Sequence, residues 1–437
     1  MLQSKLRNKL YWISDTLKGR KVGNYLKEIN FILKDPTSIE AKKIQKNNLD
    51  NLLKHATNTT AFYAKYKDTS SIIDFPVIKK TVIQNNFEQF QSSCFKDKKK
   101  YKVSTSGSTG VPFFLFQNKD KKHRNTADVI YFFNQCNHKI GNRLYELEVW
   151  RNHNKKSKFK CWMQNSIQFD ISRLTDYRIS AFIKLIQKNK KTNKTILGFA
   201  SSLESITKFI DENKIRLNYI NLNSIIANSE YLNSYTKTKM SEYFGVEVLS
   251  RYSSEEIGIV AHQTIKSPDS FIINHASYYI EVLNFNNDTH VELGEFGRIV
   301  VTDLFNYAMP VIRYDTGDIA KLSMEDEITK FELIEGRKMD LVYDSSGNKV
   351  SSFVVYTKFY RYYKYLNQYQ FIQQGRKDYE IKLNLKVNNF NFEDSLIIEI
   401  KKDFGKDANV YITYVDEIPL LASGKRRKVI NNFSKCV

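Results

Sequence analysis

The chain has 437 residues, 41% hydrophobic and 14% aromatic, enough for two or three globular domains with sizeable cores. Its net charge of +21 raises nucleic acid, an anionic membrane surface or acidic substrates as partners, yet the lysines run along the whole chain. It has no apolar run of membrane-span length, no signal-peptide core in residues 1–21, and no zinc or disulfide spacing among Cys94, Cys136, Cys161 and Cys436, so a cytoplasmic protein with reduced thiols is expected.

Residues 1–75 read as helical. Leu6, Leu10, Tyr11, Ile13 and Leu17 line one face of a basic helix. Packing on the protein's own body is the expected use of that face, and docking on a membrane surface is the lesser one. Leu49, Leu52, Leu53 and Ala56 recur at helical spacing and end near Asn58-Thr59-Thr60. The string Pro76-Val77-Ile78-Lys79-Lys80 follows. Lys96, Lys98, Lys99, Lys100 and Lys102 then form a solvated face or a field that draws an anion in.

Next comes Ser104-Thr105-Ser106-Gly107-Ser108-Thr109-Gly110, then Val111-Pro112. Glycines bring backbone N–H groups close to an anion, and hydroxyls add donors for phosphate oxygens. A phosphate-binding loop and a polar surface turn both fit. It is not a Walker A loop, because no Gly-Lys-Ser/Thr closes it. Phe113, Phe114 and Phe116 flank it with strand.

From 124 to 210 helical stretches alternate with short apolar runs, among them 181–186, 195–199 and 203–210, which argues for α/β units. Ile225-Ile226-Ala227 is a buried strand running into Asn228-Ser229-Glu230. The strand 246–249 feeds Arg251-Tyr252-Ser253-Ser254-Glu255-Glu256-Ile257-Gly258. Residues 271–273, 278–283 and 298–302 read as strands of a small β subdomain, with hairpin signals at Asn286-Asn287-Asp288 and Gly294.

Three motifs follow: Thr302-Asp303-Leu304-Phe305-Asn306, Met309-Pro310-Val311-Ile312-Arg313-Tyr314-Asp315-Thr316-Gly317-Asp318, and Glu335-Gly336-Arg337-Lys338-Met339-Asp340. The aromatic, basic stretch 356–369 reads as an amphipathic helix, with base stacking as the alternative. Residues 379–387 and 409–415 alternate apolar with polar and are expected strands. The tail holds Pro419-Leu420-Leu421-Ala422-Ser423-Gly424-Lys425 and then Arg426-Arg427-Lys428.

In this order the segments resemble the adenylate-forming enzymes, which include acyl-CoA synthetases and the adenylation domains of peptide synthetases. Within them the chain looks most like the phenylacetate–CoA ligase family and its branch from polysaccharide-biosynthesis clusters. The resemblance runs from about residue 50 to the end of the chain. It implies that Ser104, Thr105, Ser106, Gly107, Ser108, Thr109 and Gly110 hold phosphates, and that Ser229 and Glu230 lie on the adenine turn. Tyr252, followed by Ser253, would stack on adenine, and Glu256 would hold Mg²⁺ on the triphosphate. Asp318 would accept both ribose hydroxyls. Arg337 would touch ribose or phosphates, Asp340 would be the hinge, and Lys425 the mobile catalytic lysine. The chain departs from the family pattern at Asn228 and Ser253, where glycine is usual, and at Glu255, where a hydroxyl is usual. The paired carboxylates leave both Glu255 and Glu256 open as the metal ligand.

The expected fold is α/β: a large multi-layer N-terminal domain with a small β subdomain, plus a small α+β C-terminal lid. Residues 1–339 would bind ATP and the carboxylate, and residues 340–437 would form the mobile lid. The implied reaction joins a small carboxylic acid to AMP, expels pyrophosphate, and passes the acyl group to coenzyme A or to an amine or hydroxyl, in capsule or other surface-polysaccharide synthesis. ATP, Mg²⁺ and possible CoA are the implied cofactors. Two other readings stand beside it: a non-enzymatic nucleic-acid or polysaccharide binder, for which no RNP-like or zinc-finger signature speaks, and a degenerate relative that binds nucleotide without chemistry.

Overall fold

The computed structural model describes residues 2–69, 71–105, 113–150, 154–188, 190, 192–217, 220–335, 342–350, 352–419 and 427–433. Three helices open the chain: α1 (Leu2–Leu17), α2 (Lys21–Lys34) and α3 (Ile39–Thr59). The Ser38 hydroxyl caps α3 by accepting from the Ala41 N–H. A short α4 (Lys80–Asn85) precedes the antiparallel pair β1 (Tyr101–Thr105) and β2 (Phe113–Gln117), and α5 (Lys119–Gln135) follows.

Strands and helices then alternate: β3 (Arg143–Glu148), α6 (Lys158–Gln164), β4 (Ser166–Asp170), α7 (Asp176–Gln187), β5 (Lys194–Phe199), α8 (Ala200–Glu212), β6 (Leu222–Asn228), α9 (Ser234–Phe244) and β7 (Val248–Ser254). Each strand from β3 to β7 pairs in parallel with its neighbour. Their apolar runs are buried against the helices through Phe182, Leu203, Ile206 and Met240.

Beyond β7 the sheet turns antiparallel through β8 (Gly258–Thr264), β9 (Ser267–Ile273), β10 (Tyr278–Leu283), β11 (Phe296–Asp303), β12 (Tyr314–Glu325) and β13 (Ile328–Glu335). All eleven strands form one sheet in the order β10-β11-β12-β13-β9-β8-β7-β6-β5-β3-β4. The small β element read from the sequence is thus the antiparallel wing of the main sheet. A core including Phe75, Phe90, Phe113, Tyr278, Val301 and Tyr314 fills the space between that wing, the β1–β2 pair and α3.

A second sheet lies after residue 341. Past the small pair β14 (Val342–Tyr343) and β15 (Lys349–Val350), and α10 (Ser352–Phe359), come β16 (Leu366–Gln373), β17 (Asp378–Leu385), α11 (Glu393–Phe404), β18 (Asn409–Tyr414) and β19 (Val429–Asn431). The four longer strands form a sheet in the order β18-β17-β16-β19, with its own core of Phe359, Tyr362, Phe371, Tyr379, Leu396 and Phe404.

Two expectations change. The helix expected over 356–369 ends at Phe359, tightens into a 3₁₀ turn, and gives way to β16. Tyr369 is buried in that strand and its ring stacks on Phe359 at 4.0 Å, so tertiary packing overrides the helical reading. On α1, Tyr11 and Trp12 do turn inward, but Leu6, Leu10, Ile13 and Leu17 are exposed rather than packed on the body.

Candidate active site

The serine-rich loop connects β1 to β2. Ser104 and Thr105 end β1, paired with Phe114 and Phe113, whereas Ser106, Gly107, Ser108, Thr109 and Gly110 lie outside the described residues. The base of the loop is fixed to β12. The Phe113 ring stacks nearly parallel on Tyr314, and the Lys80 ammonium sits over Phe113 at 5.0 Å. Ile78 binds the same strand: its N–H donates to the Arg313 carbonyl, and its carbonyl accepts from the Asp315 N–H, both at 2.9 Å. This pairing explains why the Pro76–Lys80 string accompanies the later motif.

Thr316, Gly317 and Asp318 bulge out of β12, where the register to β11 slips between Arg298 and Val300. Gly317 takes a φ of +79°, a backbone state that glycine adopts without strain. The Gly317 N–H donates to Asp315, which Arg298 holds by an ion pair at 2.8 Å. The Thr316 hydroxyl donates to the Ile299 carbonyl and accepts from the Asp318 N–H. The turn therefore rests on defined partners and presents the Asp318 carboxylate towards β7.

On β7 the Tyr252 hydroxyl donates to Asp318 Oδ2 at 2.7 Å and lies 3.3 Å from the Thr316 hydroxyl. Burial, then the Asp318 charge, pushes the Tyr252 pKa well above its ordinary value, so the phenol stays protonated. A second pair repeats the pattern: the Tyr314 hydroxyl donates to Glu256 Oε1 at 3.3 Å, and burial followed by Glu256 raises the Tyr314 pKa. The backbone beyond Glu256 is fixed by Gln117, whose Nε2 donates to the Glu256 carbonyl. At Gly258, with φ +114°, a Cβ would lie 2.6 Å from the Tyr278 hydroxyl, which only glycine tolerates.

The two adjacent glutamates face different surroundings. Glu256 is half-buried against Tyr314, and its Oε2 is buried with no hydrogen-bond partner among the described residues. Glu255 is exposed and stands near Glu148 and Arg251. An unpaired carboxylate oxygen fits a hard cation that takes one or two carboxylates together with phosphate oxygens. That favours Glu256 over Glu255 as the residue able to hold Mg²⁺.

Strand register brings Asn228, at the start of the Asn228-Ser229-Glu230 turn, to the same edge as the ends of β5 and β7. Phe199 on β5 pairs with Asn228 on β6, which pairs with Arg251 on β7, so three strands end together. Ser229 takes φ +68°, the left-handed region that a glycine would occupy without cost. Glu230 turns back, and its Oε2 accepts from the Ser201 N–H at 2.9 Å at the start of α8. Ser253 lies beside Tyr252 at the carboxyl end of β7.

Sequence reading missed two groups. At the end of β3, the Lys156 ammonium contacts both oxygens of the buried Glu146, at 2.5 and 2.7 Å, beside Glu148 and Arg251. The available signal was a pair of glutamates in a strand of a parallel sheet, where apolar runs are the rule. Glu148 is raised in pKa, first by burial and then by Glu146.

The second group joins the two sheets. The Lys428 ammonium lies 2.5 Å from Glu204 on α8, and Lys208 lies 3.1 Å from the same carboxylate. Burial opposes the Glu204 charge, but Lys428 and then Lys208 outweigh it and hold the pKa down to about 2. Asn233 also donates to Glu204, and Lys208 donates to the Leu366 carbonyl on β16. Lys386 pairs with Glu212. Lys428 stands three positions after Lys425 in the sequence and meets α8, the helix that follows β5. Arg337, Asp340 and Lys425 lie outside the described residues.

The eleven-stranded sheet, the β1–β2 pair packed against its antiparallel wing and the separate C-terminal sheet make up the fold of the adenylate-forming ligases. A 2-hydroxyisobutyryl-CoA ligase, solved in the postadenylation state in complex with 2-HIB-AMP, matches with a TM-score of 0.73 at 16% identity, covering 90% of each chain. Residues 342–432 match the CapK C-terminal domain. Protein CapK of Staphylococcus aureus is 23% identical over 378 residues, 83% of this chain and 81% of that protein. Phenylacetate-coenzyme A ligase of Escherichia coli (strain K12) is 29% identical over 110 residues, 24% of this chain and 25% of that one. These likenesses bear out the resemblance to adenylate-forming ligases and to the phenylacetate–CoA ligase group.

Proposed function

We propose that this chain activates a small carboxylic acid with ATP, forming an acyl-adenylate and releasing pyrophosphate. The observation that carries the reading is the convergence of Asp318, Tyr252 and Glu256 beside the base of the serine loop. In this reading Asp318 accepts the two ribose hydroxyls, and the Tyr252 hydroxyl fixes the carboxylate for that task while its ring lies against adenine. The loop from Ser104 to Gly110 binds phosphates, and Arg337 adds a contact to ribose or phosphate. Mg²⁺, held by Glu256, would offset charge on the triphosphate.

Lys425 carries the electrostatic step, bridging carboxylate and α-phosphate oxygens as charge develops. The protein otherwise acts by positioning. The segment from residue 340 onward acts as the lid, pivoting at Asp340, and the Lys428–Glu204–Lys208 contact supports docking of that lid over the strand ends. The acyl group then passes to coenzyme A or to an amine or hydroxyl. This reading sets the activity in capsule or other surface-polysaccharide synthesis in the cytoplasm, the setting that the sequence resemblance implies.

ATP-dependent exchange of labelled pyrophosphate against a panel of aryl acids, amino acids and small hydroxy acids tests the reading. Exchange with at least one acid is expected. Tight ATP binding with no exchange across a broad panel would instead support the nucleotide-binding relative without chemistry.

A further inference from the structure

We propose that the outer face of α1, together with α6, docks this protein on the surface of a bilayer rich in anionic phospholipid. On α1, Leu2, Leu6, Leu10, Ile13 and Leu17 are 83, 55, 55, 55 and 82% exposed. At 3.6 residues per turn they occupy an arc of about 80°. The opposite side of α1 is anchored. Asn8 donates to the Ile140 carbonyl, Tyr11 and Trp12 enter a core with α2 and α5, and Ser4 packs so close to Gly141 that a Cβ there would lie 2.3 Å from its carbonyl oxygen. The helix is therefore held in place while its apolar stripe faces outward.

The stripe continues onto α6. Phe159, Trp162 and Met163 are 69, 66 and 51% exposed, and the Arg7 guanidinium lies over the Trp162 ring at 5.7 Å, joining the two helices. Basic residues frame the patch: Lys5 and Lys9 on one flank of α1, Arg7 and Lys18 on the other, and Lys158 and Lys160 around Trp162. The one acid on α1, Asp15, is buried and accepts from the Val22 and Gly23 N–H groups, and α6 has none. The patch therefore presents apolar side chains within a ring of positive charge.

That combination selects the occupant. An amphipathic helix with an apolar face and flanking lysines lies in the interface of an anionic bilayer, with tryptophan at headgroup level. A second copy would pair the patch with itself and set lysine against lysine. Nucleic acid would match the charge but leave the leucines against water. The patch also lies at the amino ends of β3 and β4, since Asn165 links Arg143 to Gly141 there, so docking leaves the carboxyl ends of the strands free.

Co-sedimentation of the full chain with phosphatidylglycerol-containing vesicles tests the proposal, against pure phosphatidylcholine vesicles at low and physiological salt. Binding to the anionic vesicles, weakened by salt and weak on phosphatidylcholine, is expected. The exposed double variant Leu6→Glu/Leu10→Glu should lower binding at least about tenfold, and Trp162→Ala should lower it less. Ile398→Glu, an equally exposed change elsewhere, should leave it intact, and an unchanged thermal melt shows that each variant folds. Absence of binding to anionic vesicles, or binding unchanged in the double variant, overturns the proposal. So does a vesicle-free dimer in sedimentation velocity that the same double variant dissolves, which would assign the face to a second copy.

Discussion

The hydroxyl of Tyr252 donates to the carboxylate of Asp318 at 2.7 Å, across 66 positions of sequence, and joins the end of the parallel sheet to the bulge on β12. Because the phenol remains protonated, it donates to one oxygen of the Asp318 carboxylate and fixes that group at the end of β7. Asp318→Ala should weaken ATP binding at least about tenfold, since hydrogen bonds to a charged group contribute about 1.5–3 kcal/mol. Tyr252→Phe keeps the ring and should cost less. Calorimetric titration with ATP measures both, and unchanged affinity in Asp318→Ala would remove the residue from the site.

Glu256 and Glu255 differ in surroundings, so their neutral variants should differ in metal dependence. Glu256→Gln should raise the Mg²⁺ concentration needed for half-maximal pyrophosphate exchange several-fold, by about 1 kcal/mol or more of lost charge interaction. Glu255→Gln should change it little. A Mg²⁺ titration of each variant checks this, and the reverse order would assign the metal to Glu255.

Lys425 is expected to act in the transition state. Lys425→Ala should bind ATP nearly normally yet lose about 10²–10³ in the rate of adenylate formation. Acyl transfer from supplied acyl-adenylate should fall much less. Equal losses in the two half-reactions would point to a folding or docking defect instead.

The Lys428–Glu204 contact gives a pH signature. Against the cost of burial, Lys428 and then Lys208 hold the Glu204 carboxyl down to about 2, below the ordinary glutamate range. A depressed carboxylate pKa contributes stability that is present above the unfolded value and is lost as pH falls through the folded one. The contribution is about 3 kcal/mol, lost between about pH 5 and pH 2. Denaturant melts across that range should show a shallower acid loss in Glu204→Gln than in the unmodified chain. Parallel profiles would show that the contact does not stabilise the fold.

Beneath the site, Lys121 and Asp303 form an ion pair at 2.7 Å with both side chains fully buried, and Lys121 also donates to the Tyr278 hydroxyl. Removing one partner leaves a buried charge without its counterion. Lys121→Ala should destabilise the protein by about 3–5 kcal/mol, read as a lowered urea midpoint. A loss below about 1 kcal/mol would show that the pair is replaced by water.

Much of this fold was legible along the chain. Apolar runs separated by helical periods marked β5, α8 and β6, and the alternation at 379–387 and 409–415 marked β17 and β18. The Thr-Gly-Asp string announced a turn, because Gly317 can take the positive φ that lets Asp318 project. The helical stretch at 356–369 misled, because tyrosine and phenylalanine serve strands as readily as helices and only the stacking of Tyr369 on Phe359 selects β16.

What the sequence determined by itself was local: periodicity, turn chemistry, and the order in which the motifs occur. Tertiary structure decided which of those residues meet. The register of β5, β6 and β7 aligns Phe199, Asn228 and Arg251, and the bulge on β12 turns Asp318 towards Tyr252. Glu204 meets Lys428 across 224 positions only because two sheets dock. On α1 the spacing showed which face is apolar, but periodicity records a face and not its covering. Whether Leu6 and Leu10 are buried depends on the rest of the chain, which here packs Tyr11 and Trp12 and leaves the leucines outside.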